Sequence, residues 1–229
     1  MIRSIKLLSI ICFAAQVLSA GAAEPEIVFQ EDFESGPERW EILDPDTWRL
    51  RESDGNSTLE ITERGSEYEP PVRSPRHVAL IRDLDLKSFD ITFKVRSTKD
   101  TGNHRDCCIF FAYRDSEHFY YVHLGAKPDP HSGQIMIVNE APRLALTENE
   151  RRTPWDDEWH TVRVSHDADT GKILVFFDDM NQPHMEIVDT TFKSGRIGIG
   201  SFDDMNEFDD EMKVRMRRDR ARGTVFAVT

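Results

Sequence analysis

The sequence predicts an all-β protein, a two-sheet antiparallel jelly-roll sandwich. Turn signals recur along the chain, and short runs of alternating apolar and polar residues, such as 90–96 and 109–113, lie between them. After residue 23 only a weak apolar stripe of helical period occurs, at 144–149. Many short strands joined by frequent turns are typical of sandwiches and barrels. The length of 229 residues suits one such domain.

The clearest local pattern lies near the C-terminus, where two apolar runs of period two flank the turn Asp169-Thr170-Gly171. They predict a β-hairpin. A third run follows and contains Gly198 and Gly200. Glycine weakens a strand unless a bulge or a close backbone approach needs the space, so we expect one of these features there.

Residues 1–23 have the pattern of a secretory signal peptide. Arg3 and Lys6 give a basic start, a mostly apolar run follows, and small residues come next. We expect cleavage after Ala22 or Ala23 and a secreted protein, either periplasmic or extracellular. The apolar run of about a dozen residues is too short to span a bilayer, and no second run is long enough, so no membrane span is expected.

The rest of the chain divides into a predicted sandwich domain, 24–214, and a basic C-terminal tail, 215–229. The tail either contacts an acidic partner or polysaccharide, or is a solvated terminus. The formal net charge is −13 at pH 7. Because an acidic surface repels phosphate backbones, nucleic acid is not an expected partner. The oligomeric state is left open by the sequence.

Cys107 and Cys108 are adjacent on a predicted strand, so their side chains point to opposite faces. A disulfide between them is sterically poor. We expect two small buried strand residues rather than a redox or metal pair.

Several segments carry a family resemblance. Residues 29–36, Trp40, Trp48 and the closing segment 202–204 resemble the opening strand, the tryptophans that follow it and the closing turn of concanavalin A-like lectin/glucanase domains. The most similar types are the laminin-G-like and the family-16-like, or "3-keto-disaccharide hydrolase", domains. The resemblance implies a jelly-roll fold and a poly- or oligosaccharide as partner.

The chain departs from the laminarinase-type enzymes of this group. Those enzymes carry a Glu-x-Asp-x-x-Glu signature on one strand, which places nucleophile and general acid about 5 Å apart for retaining hydrolysis. No such run occurs here, and the acidic clusters at 148–150, 156–158 and 203–204 lie in predicted turns. A retaining hydrolase of that type is disfavoured, and whether the protein is an enzyme stays open.

The resemblance also implies one structural calcium ion that ties the first strand to the last. Asp209 matches the expected ligand best, with the backbone of 34–36 opposite, and Asp32 is a weaker candidate. Oxygen ligands of this kind suit Ca²⁺. The alternative is that these acids only solvate and cap turns.

The central strands suggest a binding face. On a strand that includes residues 118–123, Tyr121 and His123 share one face, while Tyr120, Val122 and Leu124 share the other. The more apolar set should face the core. Tyr121 and His123 would then lie on the open face, where sandwich lectins bind sugar.

Arg105 and Tyr113 are expected to complete this carbohydrate site, and Trp155 is either a platform at its rim or a hydrophobic plug. Histidine and arginine donate hydrogen bonds to hydroxyls or uronate carboxylates. Several polysaccharide lyases of this sandwich class use a base, an acid and a carboxylate neutraliser in one groove, roles that would suit His123, Tyr121 and Arg105. Carbohydrate binding, lyase chemistry, another hydrolytic role and a protein-interaction module all remain open.

Overall fold

The computed structural model describes residues 25–53, 55–209 and 211–217. The predicted signal segment, 1–23, and most of the basic tail lie outside the described residues. The strands, in chain order, are β1 (Glu26–Glu31), β2 (Trp40–Ile42), β3 (Trp48–Ser53), β4 (Asn56–Ile61), β5 (His77–Leu86), β6 (Phe89–Ser97), β7 (Cys108–Asp115), β8 (His118–His123), β9 (Gln134–Asn139), β10 (Leu144–Ala145), β11 (His160–Asp167), β12 (Lys172–Phe177), β13 (Met185–Val188), β14 (Gly195–Ser201), β15 (Asn206–Phe208) and β16 (Met212–Met216). Two short 3₁₀ turns, Pro45–Thr47 and Gly102–His104, accompany them.

The strands form two antiparallel sheets packed as a sandwich, which confirms the predicted fold class. The nine-stranded sheet has the order β13-β12-β11-β6-β15-β4-β3, and β16 pairs with both β6 and β1 beside that path. The seven-stranded sheet has the order β10-β9-β8-β7-β14-β5-β2. Within the described ranges, no helix is long and apolar enough to cross a membrane.

Strand β6 shows how the alternating pattern builds the core. Phe89, Ile91, Phe93 and Val95 are buried, and the residues between them are half-buried on the other face. The main core lies between the sheets, where the ring of Phe89 meets Phe111 of β7 with centroids 5.9 Å apart. Truncating a buried phenylalanine to alanine typically costs about 3–5 kcal/mol, so this stripe fixes which face of β6 points inward.

The predicted hairpin is confirmed as β11 and β12. Its turn is closed by Asp167, whose Oδ1 accepts hydrogen bonds from the backbone N–H groups of Asp169 and Thr170, both at 3.1 Å. Gly171 follows with a φ of 73°, and its N–H donates to the carbonyl of Asp167 at 2.7 Å. Glycine adopts this left-handed conformation without a side-chain clash.

The third glycine-containing run is β14, which lies in the seven-stranded sheet between β5 and β7 rather than beside the hairpin. A Cβ atom at Gly200 would lie 1.9 Å from the carbonyl oxygen of His77, and one at Gly198 would lie 2.4 Å from that of Ala79. The glycines therefore permit the close backbone approach of β5 that the sequence predicts.

Strands β1 and β16 bring the two ends of the domain together. Glu31 pairs with Met212, and Glu26 pairs with Met216. Strand β16 continues to Met216, two residues past the predicted domain boundary at Val214. The burial of Met212 and Val214 in the main core accounts for the longer strand.

Candidate functional site

Strand β8 carries two of the residues that the sequence assigns to carbohydrate binding. As predicted, Tyr120, Val122 and Leu124 belong to the main core between the sheets. Tyr121 lies on the opposite face of the seven-stranded sheet, in a second apolar cluster. His123 lies beside it, with ring centroids 6.1 Å apart. The alternation of side chains along β8 therefore follows the sequence pattern.

This second face is covered rather than open. Tyr68, Val72 and Ala145 pack over the cluster that contains Tyr121 and Tyr113. Tyr121 is 0% exposed and Tyr113 is 5% exposed, so neither ring offers a free surface to a ligand in this structure. The covering residues are distant in sequence from β8. For this reason the alternation of a single strand does not reveal them.

His123 lies where this cover ends and is held on three sides. Its Nδ1 lies 3.0 Å from the carbonyl oxygen of His131, an arrangement that assigns the donor hydrogen to Nδ1. Its Nε2 lies 3.8 Å from Oδ2 of Asp106. The imidazole stacks on Phe202, with centroids 5.7 Å apart and an interplanar angle of 22°. These contacts fix the orientation of the ring.

Asp106 is buried next to His123 and anchors the turn after β14. Its carboxylate accepts hydrogen bonds from Ser201 Oγ at 2.8 Å and from the backbone N–H groups of Phe202 and Asp203 at 2.9 and 3.2 Å. Burial by itself raises the pKa of Asp106, but the contact with His123 and these hydrogen bonds outweigh it, so the pKa lies below its usual value. Asp106 is therefore a carboxylate at neutral pH.

Arg105 precedes β7 and is also buried. Its Nη2 forms an ion pair with Asp157 and lies 3.5 Å from Asp100. Its Nη1 is buried and has no hydrogen-bond partner among the described residues. A buried donor without a partner costs about 1–3 kcal/mol, so this atom is able to gain free energy from an added acceptor.

Arg105 and His123 line one pocket of about 380 Å³. The remaining residues of the pocket are Arg73, Asn103, His104, Asp106, Lys127, Asp129, His131, Ser132, Arg143, Phe202 and Asp203. We call this the His123 pocket. Two predicted site residues thus come together, and sequence reasoning missed Asp106, Arg143 and Phe202. Asp106 follows the predicted site residue Arg105, and Phe202 begins the segment 202–204 that carries the family resemblance. No sequence pattern around Arg143 indicates a site.

Tyr113 and Trp155 lie away from the His123 pocket. Tyr113 is near the far end of β7, where the guanidinium of Arg196 lies 5.6 Å from its ring centroid. Trp155 is half-buried against the main core, donates from Nε1 to the carbonyl of Leu124 at 2.6 Å, and meets Phe177 with centroids 5.1 Å apart. Of its two predicted roles, this geometry is that of a hydrophobic plug.

The lyase interpretation needs His123, Tyr121 and Arg105 to face one groove. The structure brings His123 and Arg105 together, but the hydroxyl of Tyr121 is buried and has no hydrogen-bond partner in the described part of the chain. Burial also raises the pKa of Tyr121 well above its usual value. A general acid must reach the proton acceptor, so the arrangement does not favour Tyr121 in that role.

The predicted calcium ligands have other partners. Asp209 Oδ1 accepts a hydrogen bond from Asn56 Nδ2 at 3.1 Å, and Lys94 Nζ lies 3.7 Å from Asp209 Oδ2. Asp32 is exposed, and its Oδ1 accepts the backbone N–H of Glu34 at 3.2 Å. Because an ammonium group already accompanies Asp209, these residues do not fit the oxygen-rich ligand set of Ca²⁺.

A different group could hold a metal ion. Asp106, Cys108 and His123 are buried, and one ligand atom from each lies within 4.8 Å of the others. Burial raises the pKa of the thiols of Cys108 and Cys107 well above the usual value. A metal ion bound here would have to displace the proton of Cys108, so its affinity would depend on pH.

The side chains of the adjacent residues Cys107 and Cys108 point in opposite directions, as predicted. Cys107 belongs to the main core and Cys108 to the second apolar cluster, on opposite faces of the sheet. Both are free and buried, as the sequence predicts.

Comparisons with protein-family models and with curated proteins give no match. Among solved structures, the chain is similar to a carbohydrate binding module, CBM66, from Bacillus subtilis, with a TM-score of 0.54 and 13% identity over 77% of this chain and 95% of that chain. It is also similar to the carbohydrate recognition domain of Emp47p, with a TM-score of 0.51 and 15% identity over 82% of this chain and 94% of that chain. At such identities the likeness shows the fold alone, a two-sheet antiparallel jelly-roll sandwich.

Proposed function

We propose that the protein binds a poly- or oligosaccharide in the His123 pocket. The observation that carries this proposal is the lining of the pocket, where hydrogen-bond donors and acceptors from several loops surround one aromatic ring, Phe202. Saccharides present hydroxyl groups that both donate and accept, together with apolar C–H surface, and they need such a mixed site. Two similar solved structures, a carbohydrate binding module and a carbohydrate recognition domain, support the ligand class.

The residues of the His123 pocket differ in the hydrogen bonds that they can form with a saccharide. Arg105 Nη1 and the Nε2 atom of His123 can each form a hydrogen bond with a hydroxyl group. Asp129 and Asp203 supply carboxylate oxygens as acceptors at the pocket. Because His123 is fixed by His131 and by the stack on Phe202, its direction is set before a ligand arrives, which lowers the entropic cost of binding.

A glycan-array screen followed by titration of the best ligand tests this proposal, with His123→Ala as the variant. His118→Ala is the matched control, since His118 lies on the same strand but outside the pocket, in contact with Asp115 and Glu140. We expect His123→Ala to weaken binding by about tenfold, the loss of one or two hydrogen bonds, and His118→Ala to leave it unchanged. Equal affinity of both variants and the parent protein would contradict the proposed location.

The same polysaccharides, assayed for new reducing ends and for unsaturated products by ultraviolet absorbance, test for an enzyme. The lyase alternative rests on the shared pocket of Arg105 and His123, and it would appear as turnover that His123→Ala abolishes while the substrate still binds. Secretion, proposed from residues 1–23, is tested by N-terminal sequencing of the protein recovered outside the cytoplasm. The sequence predicts calcium binding by Asp209 and Asp32, whereas Lys94 beside Asp209 argues against it, and a Ca²⁺ titration of the melting temperature decides between the two.

A further inference from the structure

The His123 pocket concentrates positive charge on an acidic protein. The chain carries a formal net charge of −13, yet four cationic side chains line this one pocket. They are Arg73, Arg105, Lys127 and Arg143. A local field of this sign, opposite to that of the whole molecule, selects ligands by charge at close range.

Three of the four cations have no compensating carboxylate nearby. Within the residues that the structure describes, Arg73, Lys127 and Arg143 form no ion pair at or below 4.0 Å. Arg143 and Arg73 instead lie over the ring of Phe202, at 4.2 and 5.9 Å from its centroid. The two guanidinium groups are therefore held in place by a ring and are not neutralised.

Each acid of the pocket already has a contact within the protein. Asp106 accepts hydrogen bonds from the turn after β14. Asp129 Oδ1 accepts the backbone N–H of His131 at 2.6 Å, and Asp203 Oδ2 pairs with Arg64 at 2.8 Å. Only Asp203 is neutralised by an arginine, so the three cations without an ion pair outnumber Asp106 and Asp129, and the charge facing the pocket is positive on balance.

Buried donors without partners gather at the same place. Nη1 of Arg105 and Nη1 of Arg143 are both buried and lack a hydrogen-bond partner in the described ranges, and so does the hydroxyl of Tyr121. The nearby charges of Arg143 and Arg73 act on that hydroxyl and oppose the effect of burial on its pKa. Unpartnered buried donors are rare in folded proteins, and two charged ones beside one pocket call for a strong acceptor.

We infer that the His123 pocket recognises the anionic group of an acidic saccharide, a carboxylate or a sulfate. This inference rests on the proposed saccharide binding and names its ligand class. Guanidinium groups form strong hydrogen bonds with both oxyanions, and Arg143 and Arg105 each have an Nη1 without a partner. A neutral saccharide would leave the positive charges of Arg73 and Arg143 uncompensated.

The test measures binding of the whole secreted-form chain to four polymers by affinity electrophoresis and calorimetry. Polygalacturonate offers carboxylates, its methyl ester is the same polymer without the charge, chondroitin sulfate offers sulfates as well as carboxylates, and dextran is neutral. We expect binding to polygalacturonate or chondroitin sulfate at least about tenfold tighter than to the methyl ester or dextran. Binding should weaken as salt is added.

Arg73→Gln is the main variant because Arg73 is exposed and its replacement spares the core. Arg114→Gln is its matched control, since Arg114 is also exposed and lies 5.0 Å above a ring, that of Phe192, but outside the pocket. We expect Arg73→Gln to lose about tenfold in affinity for the charged polymer and Arg114→Gln to lose none. Arg143→Gln, checked for folding by its melting temperature, should lose at least as much.

The outcomes separate the two proposals. Equal binding of all four polymers would overturn the charge recognition and leave saccharide binding standing. Charged-polymer binding that survives both Arg73→Gln and Arg143→Gln would overturn the assignment to this pocket. No binding of any polymer here or on the glycan array would overturn saccharide binding itself.

Discussion

The backbone N–H of Asp106 donates a hydrogen bond to Oδ2 of Asp204, with 3.4 Å between the two atoms. Both residues are buried. Asp204 also accepts from Ser97 Oγ and Thr101 Oγ1, each at 2.8 Å. Burial, helped by the nearby charge of Asp106, raises the pKa of Asp204 to about 6 against the opposing effect of these hydrogen bonds. Asp106, which lines the His123 pocket, is thus hydrogen-bonded to a second buried carboxyl group that holds its proton more readily.

This difference predicts a pH dependence of stability. The folded-state pKa of Asp204, about 6, exceeds the reference value of 3.8 for an unfolded chain, so the folded state holds the proton more tightly. The resulting stabilisation is fully present below the unfolded value and is lost as the pH rises through the folded value. Asp204→Asn removes the titration, so the parent protein should lose stability relative to this variant between about pH 4 and pH 7.

Urea unfolding midpoints across that range measure the effect. Asp169→Asn, in an exposed turn, is the control and should run parallel to the parent protein. A parallel curve for Asp204→Asn as well would show that Asp204 keeps an ordinary pKa.

A second prediction concerns β14. Gly200→Ala places a Cβ atom against the backbone oxygen of His77, and backbone cannot swing away as a side-chain end can. We expect a loss of about 1–3 kcal/mol in the free energy of unfolding, the usual cost of overpacking. Gly65→Ala is the control because a Cβ there meets nothing within 4 Å, and it should change stability by less than about 0.5 kcal/mol. Chemical denaturation measures both, and similar values for the two variants would refute the close approach.

The thiols give a third prediction. Cys107 and Cys108 are fully buried, and burial raises the pKa of both thiols, so neither should be attacked by a thiol reagent in the folded protein. For a chain that begins at residue 24, titration with such a reagent should give no fast reaction under native conditions and two reactive thiols in denaturant. Fast native reaction of either thiol would mean that the cover over the second apolar cluster opens readily.

Calcium gives a fourth prediction. Lys94 already lies beside Asp209, so we expect millimolar Ca²⁺, added after chelation, to leave the melting temperature unchanged. Lys94→Met is the informative variant, since it removes the competing charge. A rise in the melting temperature of the parent protein would instead support the calcium site predicted from the sequence.

The sequence predicts the fold well because the deciding signals are local. Alternation along β6 and β8 depends on the chain geometry of each strand, and the turn at Gly171 depends on four adjacent residues. The orientation of Tyr120 and Tyr121 to opposite faces follows from the same rule. None of these conclusions requires knowledge of a distant segment.

The site is predicted only in part because its contacts are long-range. Arg105 and His123 are found as polar residues near strand ends. Tyr121 is an expected binding residue that proves buried, since Tyr68 and Val72 cover it. Arg143 enters through a loop with no periodic pattern, and the partner of Asp209 is Lys94, more than a hundred residues earlier.

The pairing of β1 with β16 sets the order in which the domain can be completed. In the described part of the chain, β1 pairs with β16 alone, so its backbone hydrogen bonds cannot form until synthesis has passed Met216. Contacts between residues so far apart slow folding, and a chain truncated before Met212 would expose an unpaired strand edge that promotes aggregation.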